Sequence, residues 1–120
     1  MLTVECVTID CRNPALLADF WAELLDWEIT QQSDDEAVLE PRNRELVISP
    51  VLLFLKAPDG KVAKNRLHFD LRPDNQAVEV ARAEALGAKQ IEIGQSADPA
   101  TTWVVMADPE GNEFCILRAL

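Results

Sequence analysis

The single histidine of this chain, His68, stands in the phrase Asn65-Arg66-Leu67-His68-Phe69-Asp70-Leu71. Apolar and polar residues alternate there with the period of a half-buried strand. The pattern predicts Leu67, Phe69 and Leu71 on one face, and His68, Asp70 and Arg72 on the other. An imidazole with a carboxylate two positions away on the same face can act in two ways. Asp70 or Asp10 can orient it as a general base, or as a hydrogen-bond donor to a carbonyl ligand. The competing reading has Asp10 and Asp70 paired with Arg12, Arg66 or Arg72, and His68 as a passive lining residue. Trp103, which follows the loop-like stretch 94–101, has two readings of equal weight: with Phe54 it walls an apolar pocket, or it is plain packing.

The three cysteines Cys6, Cys11 and Cys115 are odd in number, lie in strand-like contexts and show no CxxC spacing. They are expected to be reduced thiols in a cytoplasmic protein. Cys11 shares a face with Val7 and Ile9 and is expected in the core, as are Trp21 and Trp27. Lys61, Lys64 and Arg66 are expected to form a solvated patch.

These residues need elements to hold them. Residues 4–11 predict a first strand. Asn13-Pro14 is a helix start, a capping side chain followed by proline in the first turn. Leu16, Leu17, Phe20, Trp21, Leu24 and Leu25 follow at helical spacing, and Asp26 takes the left-handed stop that glycine usually fills. Strands are expected over 27–32 and 36–40. The apolar runs 46–48 and 51–55 flank Pro50, so either the next strand bends there or only the second run is a strand. The order then recurs: a strand over 65–72, a helix capped by Asn75 with Ala77, Val78, Ala81 and Ala85 inward and Gly87 ending it, and strands over 89–93, 102–106 and 113–117. Thr8-Ile9-Asp10-Cys11-Arg12 aligns with His68-Phe69-Asp70-Leu71-Arg72. Residues 41–48 echo residues 109–116. The sequence therefore predicts a βαβββ unit used twice, module one over about 3–58 and module two over about 64–119, within one domain spanning 1–120.

Size and charge narrow the partners. A chain of 120 residues buries roughly two-thirds of its unfolded surface. Its formal charge of -10 disfavours nucleic acid and anionic membranes, which need a basic footprint. No stretch has the composition of a membrane span or of a signal peptide.

The phrases Ile9-Asp10-Cys11-Arg12-Asn13-Pro14, Phe20-Trp21, Lys64-Asn65-Arg66-Leu67-His68-Phe69-Asp70-Leu71 and Asp108-Pro109-Glu110-Gly111-Asn112-Glu113-Phe114-Cys115 resemble the vicinal oxygen chelate superfamily. They look most like its small bacterial glyoxalase-like (glyoxalase/bleomycin resistance/dioxygenase) members. The resemblance covers nearly the whole chain. It implies an α+β fold in which tandem βαβββ modules curl their sheets around one cleft. In metal-dependent members the ligands are a His or Gln, a Glu, a His and a Glu from the first and last strands of each module. By that resemblance the first falls on Cys6, with Thr8 as the competing register. The second falls within 51–55, at Leu53 or Phe54. The third falls on His68 and the fourth on Cys115. Only His68 matches, so the usual divalent-metal centre, and any cofactor, is not expected. Should a metal bind, Cys6, His68 and Cys115 would suit zinc with an open fourth position. The implied function is binding of a small molecule by Cys6, Thr8, Phe54, His68, Asp70, Trp103 and Cys115. Two alternatives stand beside it: a lyase, isomerase or dioxygenase-type enzyme with His68 as the catalytic acid/base or with a non-standard metal, and a drug-sequestering protein. A homodimer is expected by the same resemblance.

Overall fold

The computed structural model describes residues 1–47 and 49–120. The chain divides into two compact units, Met1–Gly60 and Lys61–Leu120.

In the first unit, strand β1 (Cys6–Cys11) runs into helix α1 (Pro14–Leu25). The Asn13 side chain accepts from the Leu16 N–H at 3.2 Å, and Pro14, which has no N–H to satisfy, occupies the first turn. Asp26 ends the helix in the left-handed region at φ 55°, the only described non-glycine residue with positive φ. Leu17, Phe20, Trp21 and Leu24 bury one stripe of α1, with the Phe20 and Trp21 rings edge to face at 5.3 Å. Strands β2 (Trp27–Gln32), β3 (Glu36–Pro41) and β4 (Val51–Lys56) form an antiparallel meander, and β1 adds to β4 in parallel, giving the order β1-β4-β3-β2. Cys11, Ala37, Leu39, Leu52 and Phe54 are buried in the core of this unit.

The second unit repeats the topology. Strand β5 (Phe69–Leu71), helix α2 (Gln76–Ala85) and strands β6 (Lys89–Gln90), β7 (Val104–Ala107) and β8 (Glu113–Ile116) give a sheet of order β5-β8-β7-β6, again with its first and last strands parallel. A short 3₁₀ turn, Gln95–Ala97, lies in the connection before β7. The fold is thus α+β, tandem βαβββ, with two open four-stranded sheets. Among the described residues no helix is long and apolar enough to cross a membrane.

Of the two readings at Pro50, the described residues follow the one in which only the second run is a strand: β4 begins at Val51, while Leu46 and Val47 are exposed, Leu46 in a turn held by Asn43, whose side chain accepts from the Glu45 N–H at 3.2 Å. Ile48 lies outside the described residues. Over the described residues the echo between 41–48 and 109–116 does not survive as matching structure, because residues 45–46 lie in a turn where residues 113–114 begin β8.

The inward face of α2 is also different. Val80 and Ala83 are buried, whereas Ala77, Val78, Ala81 and Ala85 are exposed. Alanine methyls bury too little area to set a helix's rotation. Gln76 sets it instead, donating from Nε2 to the Ile116 carbonyl at 3.0 Å and the Thr102 carbonyl at 2.9 Å. Lastly, β5 begins at Phe69 rather than at residue 65, and Leu67 is exposed. The Asn65 N–H is occupied by the Glu113 side chain.

Candidate functional site

The parallel ladder of β5 and β8 sets Asp70 opposite Cys115. Paired residues of a ladder point to the same face, so the Asp70 carboxylate and the Cys115 thiol share one side of sheet two. His68 precedes β5 and turns its ring back, with Nε2 3.3 Å from Asp70 Oδ1. A ligating atom from each of His68, Asp70 and Cys115 lies within 4.8 Å of the other two. The two polar side chains are open to solvent, 39% and 55% exposed, whereas Cys115 is only 6% exposed. Burial, then the charge and hydrogen bond of Asp70, push the Cys115 thiol up to about 11, against a smaller lowering by Lys64. At neutral pH Cys115 is therefore a protonated thiol beside a carboxylate, and not a ready nucleophile.

The segment leading to His68 is tied down from beneath. Glu113, at the start of β8, is buried, with Oε1 2.8 Å from Lys61 Nζ and Oε2 accepting from the Asn65 N–H at 3.1 Å. Burial pushes the Glu113 carboxyl up, but the hydrogen bonds from Lys61 and the Asn65 amide outweigh it and hold the group below its ordinary value. Asn65 Nδ2 donates to Asn112 Oδ1 at 2.9 Å. Asn112 in turn belongs to the turn organised by Asp108, whose Oδ1 accepts from the N–H groups of Glu110 and Asn112, both at 2.9 Å. Gly111 completes that turn at φ 89°, where a side chain would be strained.

Lys61 is thus not part of a solvated patch: its side chain is 19% exposed and paired. Sequence reasoning missed Lys61, Asn65 and Glu113 as the residues that position His68. The available signal was the alternation of Glu113 with Cys115, which places a carboxylate on a mostly apolar strand.

The remaining predicted residues are distributed as follows. Cys6 and Thr8 lie on one face of β1, with Sγ and Oγ1 3.6 Å apart. Phe54 is fully buried in the core of the first unit and is unavailable to wall a pocket, because alternation along β4 turns it to the opposite face from Leu53 and Leu55. Trp103 is half-buried and lies one residue before β7 rather than on it. Cys11 is buried with its thiol directed to the Leu55 carbonyl at 3.5 Å. A groove of about 560 Å³ runs beside α1 and β2, lined in part by Asp19, Glu23, Trp27 and Arg42, and contains none of the predicted site residues.

Asp10 pairs with Leu55 as Asp70 pairs with Cys115, so Leu55 stands at the ladder position of Cys115, next to the expected Leu53 and Phe54. All three are hydrocarbon. The donor set for a four-ligand hard-cation centre, Cys6, a leucine, His68 and Cys115, does not fit Mg²⁺, Mn²⁺ or Fe²⁺, which take oxygen and imidazole.

Residues 6–117 match the model of the glyoxalase-like domain, and the chain belongs to that family. It is similar in fold to a glyoxalase/bleomycin resistance protein/dioxygenase family enzyme from Burkholderia phytofirmans, with 19% identity, a TM-score of 0.73, and 99% of this chain and 100% of that one covered. It is similar as well to the trypanothione-dependent glyoxalase I of Leishmania major, with 12% identity, a TM-score of 0.67 and coverage of 98% and 87%. A third similar structure is the bleomycin-binding protein of Streptomyces verticillus complexed with copper(II)-bleomycin, with 14% identity, a TM-score of 0.62 and coverage of 100% and 98%. At these identities the likeness is one of fold. No curated protein matches the sequence.

Proposed function

We propose that this chain is a small-molecule-binding protein of the glyoxalase-like family that holds its ligand through His68 rather than through the usual divalent-metal centre. The observation that carries the reading is the solvent-open His68–Asp70 pair, 3.3 Å apart, beside a buried thiol. Donation from His68 Nε2 to Asp70 leaves Nδ1 as an acceptor for a ligand hydroxyl or N–H. Asp70 and Trp103 are further ligand contacts in this reading, and the protein works as a cytoplasmic homodimer. The experiment is a thermal-shift screen of polar aromatic and carbonyl compounds on chelator-treated protein, followed by calorimetry on the hits. Binding that His68→Ala weakens by about tenfold or more supports the reading, since losing one hydrogen bond and leaving its ligand partner unpaired is worth about that much. Full affinity in His68→Ala would overturn it.

A second reading is favoured by the same pair. A carboxylate that fixes an imidazole is the arrangement of a general base, and it supports a lyase or isomerase acting through His68 Nδ1. Turnover of a bound compound by the wild type and not by His68→Ala distinguishes catalysis from binding. Tight saturable binding without turnover supports sequestration; the Streptomyces verticillus relative is named as a bleomycin-binding protein.

A further inference from the structure

We propose that His68, Asp70 and Cys115 of the second unit form by themselves a three-ligand site for a thiophilic divalent cation, of which Zn²⁺ is the type. The set differs from the one carried over by resemblance, since it takes Asp70 in place of Cys6 and draws nothing from the first unit.

Geometry carries the assignment. Metal–nitrogen and metal–oxygen bonds of about 2.0–2.2 Å at a tetrahedral angle put the two donors roughly 3.3–3.5 Å apart. His68 Nε2 and Asp70 Oδ1 stand 3.3 Å apart without any ion between them. The thiol completes a triangle whose sides are all within 4.8 Å. A zinc–sulfur bond of about 2.3 Å calls for donor separations near 3.6 Å. Cys115 is fixed on a buried strand, so the closing movement falls to the two exposed side chains, which are free to rotate.

Donor chemistry selects the ion. One imidazole nitrogen, one carboxylate oxygen and one sulfur suit zinc or cobalt and not magnesium or calcium. Three protein ligands leave a fourth position open to water or to a ligand atom, on the solvent side, where His68 and Asp70 are exposed. On binding, the Cys115 Sγ–H bond breaks and its proton goes to solvent, the His68 proton passes from Nε2 to Nδ1 by exchange with water, and the freed nitrogen and sulfur lone pairs bond the cation, so affinity rises with pH. The Asp70 charge that opposes ionisation of the thiol in the free protein is then shared with the cation, which reverses its effect.

The test uses Co²⁺ alone as a spectroscopic probe on the full, chelator-treated chain. Expected are the visible ligand-field bands of tetrahedral Co²⁺ and a thiolate-to-cobalt charge-transfer band, saturating at one equivalent and displaced by Zn²⁺ but not by Mg²⁺. Cys115→Ala should abolish the charge-transfer band. The exposed substitutions His68→Ala and Asp70→Asn, which spare the core, should each weaken Co²⁺ binding by about tenfold or more. Cys6→Ala should leave the spectrum unchanged. Absence of the charge-transfer band in the wild type, its loss in Cys6→Ala, or unaltered affinity in both exposed variants would overturn the proposal. None of these spectra depends on the small-molecule reading above. Ligand binding by chelated protein with no cobalt band defeats this site alone, and a cobalt band in a protein that binds none of the screened compounds defeats only that reading.

Discussion

Replacing Glu113 by alanine removes the carboxylate that holds the approach to His68. Two donors lose their acceptor: the Lys61 ammonium, 2.8 Å from Oε1, and the Asn65 N–H, 3.1 Å from Oε2. Removing one partner of a buried ion pair costs about 3–5 kcal/mol, and an unsatisfied buried N–H about 1–3 kcal/mol. Lys61 retains the Ala63 carbonyl as an acceptor and, being 19% exposed, can swing toward water, so the first figure is not reached in full. We expect a loss of about 3 kcal/mol, a large share of a typical total of about 5–15 kcal/mol. Urea unfolding followed by far-ultraviolet circular dichroism measures it at pH 7.

The pH dependence gives an independent check. The folded Glu113 carboxyl lies below its ordinary value of 4.5. Its contribution is therefore present in full above that value and is lost as pH falls through the folded pKa. The gap between wild type and Glu113→Ala should narrow in acid below about 4.5 and not in the neutral range. Replacing both partners, as Lys61→Met with Glu113→Leu, should cost far less than the single change, because no charge is left buried alone. A loss below about 1 kcal/mol for Glu113→Ala, or a gap that persists unchanged into acid, would refute the reasoning.

Three further outcomes follow from the same structure. Gly111→Ala should cost about 1–2 kcal/mol in equilibrium unfolding; its new Cβ meets only Lys61 Cδ at an ordinary 3.6 Å, so the cost is backbone strain at φ 89°. Phe54→Ala should cost about 3–5 kcal/mol, since the ring is fully buried, and a smaller effect would indicate that it lies open to a ligand. Thiol labelling of native metal-free protein at pH 8 should proceed at Cys6 first. With Cys115 at about 11, only about one in a thousand of its thiols is ionised at that pH, and it is 6% exposed. Peptide mapping after limited reaction checks the order, and equal labelling of Cys6 and Cys115 would contradict the burial and charge assigned to the latter.

The duplicated architecture was legible because its signals are local. Asn13-Pro14 and Asn75 mark both helix starts, Asp26 and Gly87 both stops, and the alternation in 27–32 fixed a strand to its ends. The orientation of α2 was not legible, because a helix rich in alanine has no strong apolar stripe and its rotation is set by a glutamine bonded to distant carbonyls. Pro50 left two readings of the apolar runs beside it, and the turn held by Asn43 decides, over the described residues, for the second run alone. At the site, His68 and Asp70 were found from spacing and Cys115 from resemblance. Pairing across a ladder cannot be read along one strand, so Asp70 opposite Cys115 needed the structure, and so did the pairing of Lys61 with the buried Glu113.

In each open sheet the first strand is hydrogen-bonded to the last, and among the described residues every strand pairing falls within either Met1–Gly60 or Lys61–Leu120. The peptide bond between Gly60 and Lys61 is therefore crossed by no ladder among the described residues. A protease nick there severs no sheet, and the chain is divisible at that bond into two polypeptides that each encode a complete sheet and helix. Co-expressing the halves as separate genes would ask whether the second, with His68, Asp70 and Cys115 all its own, keeps its chemistry without the first.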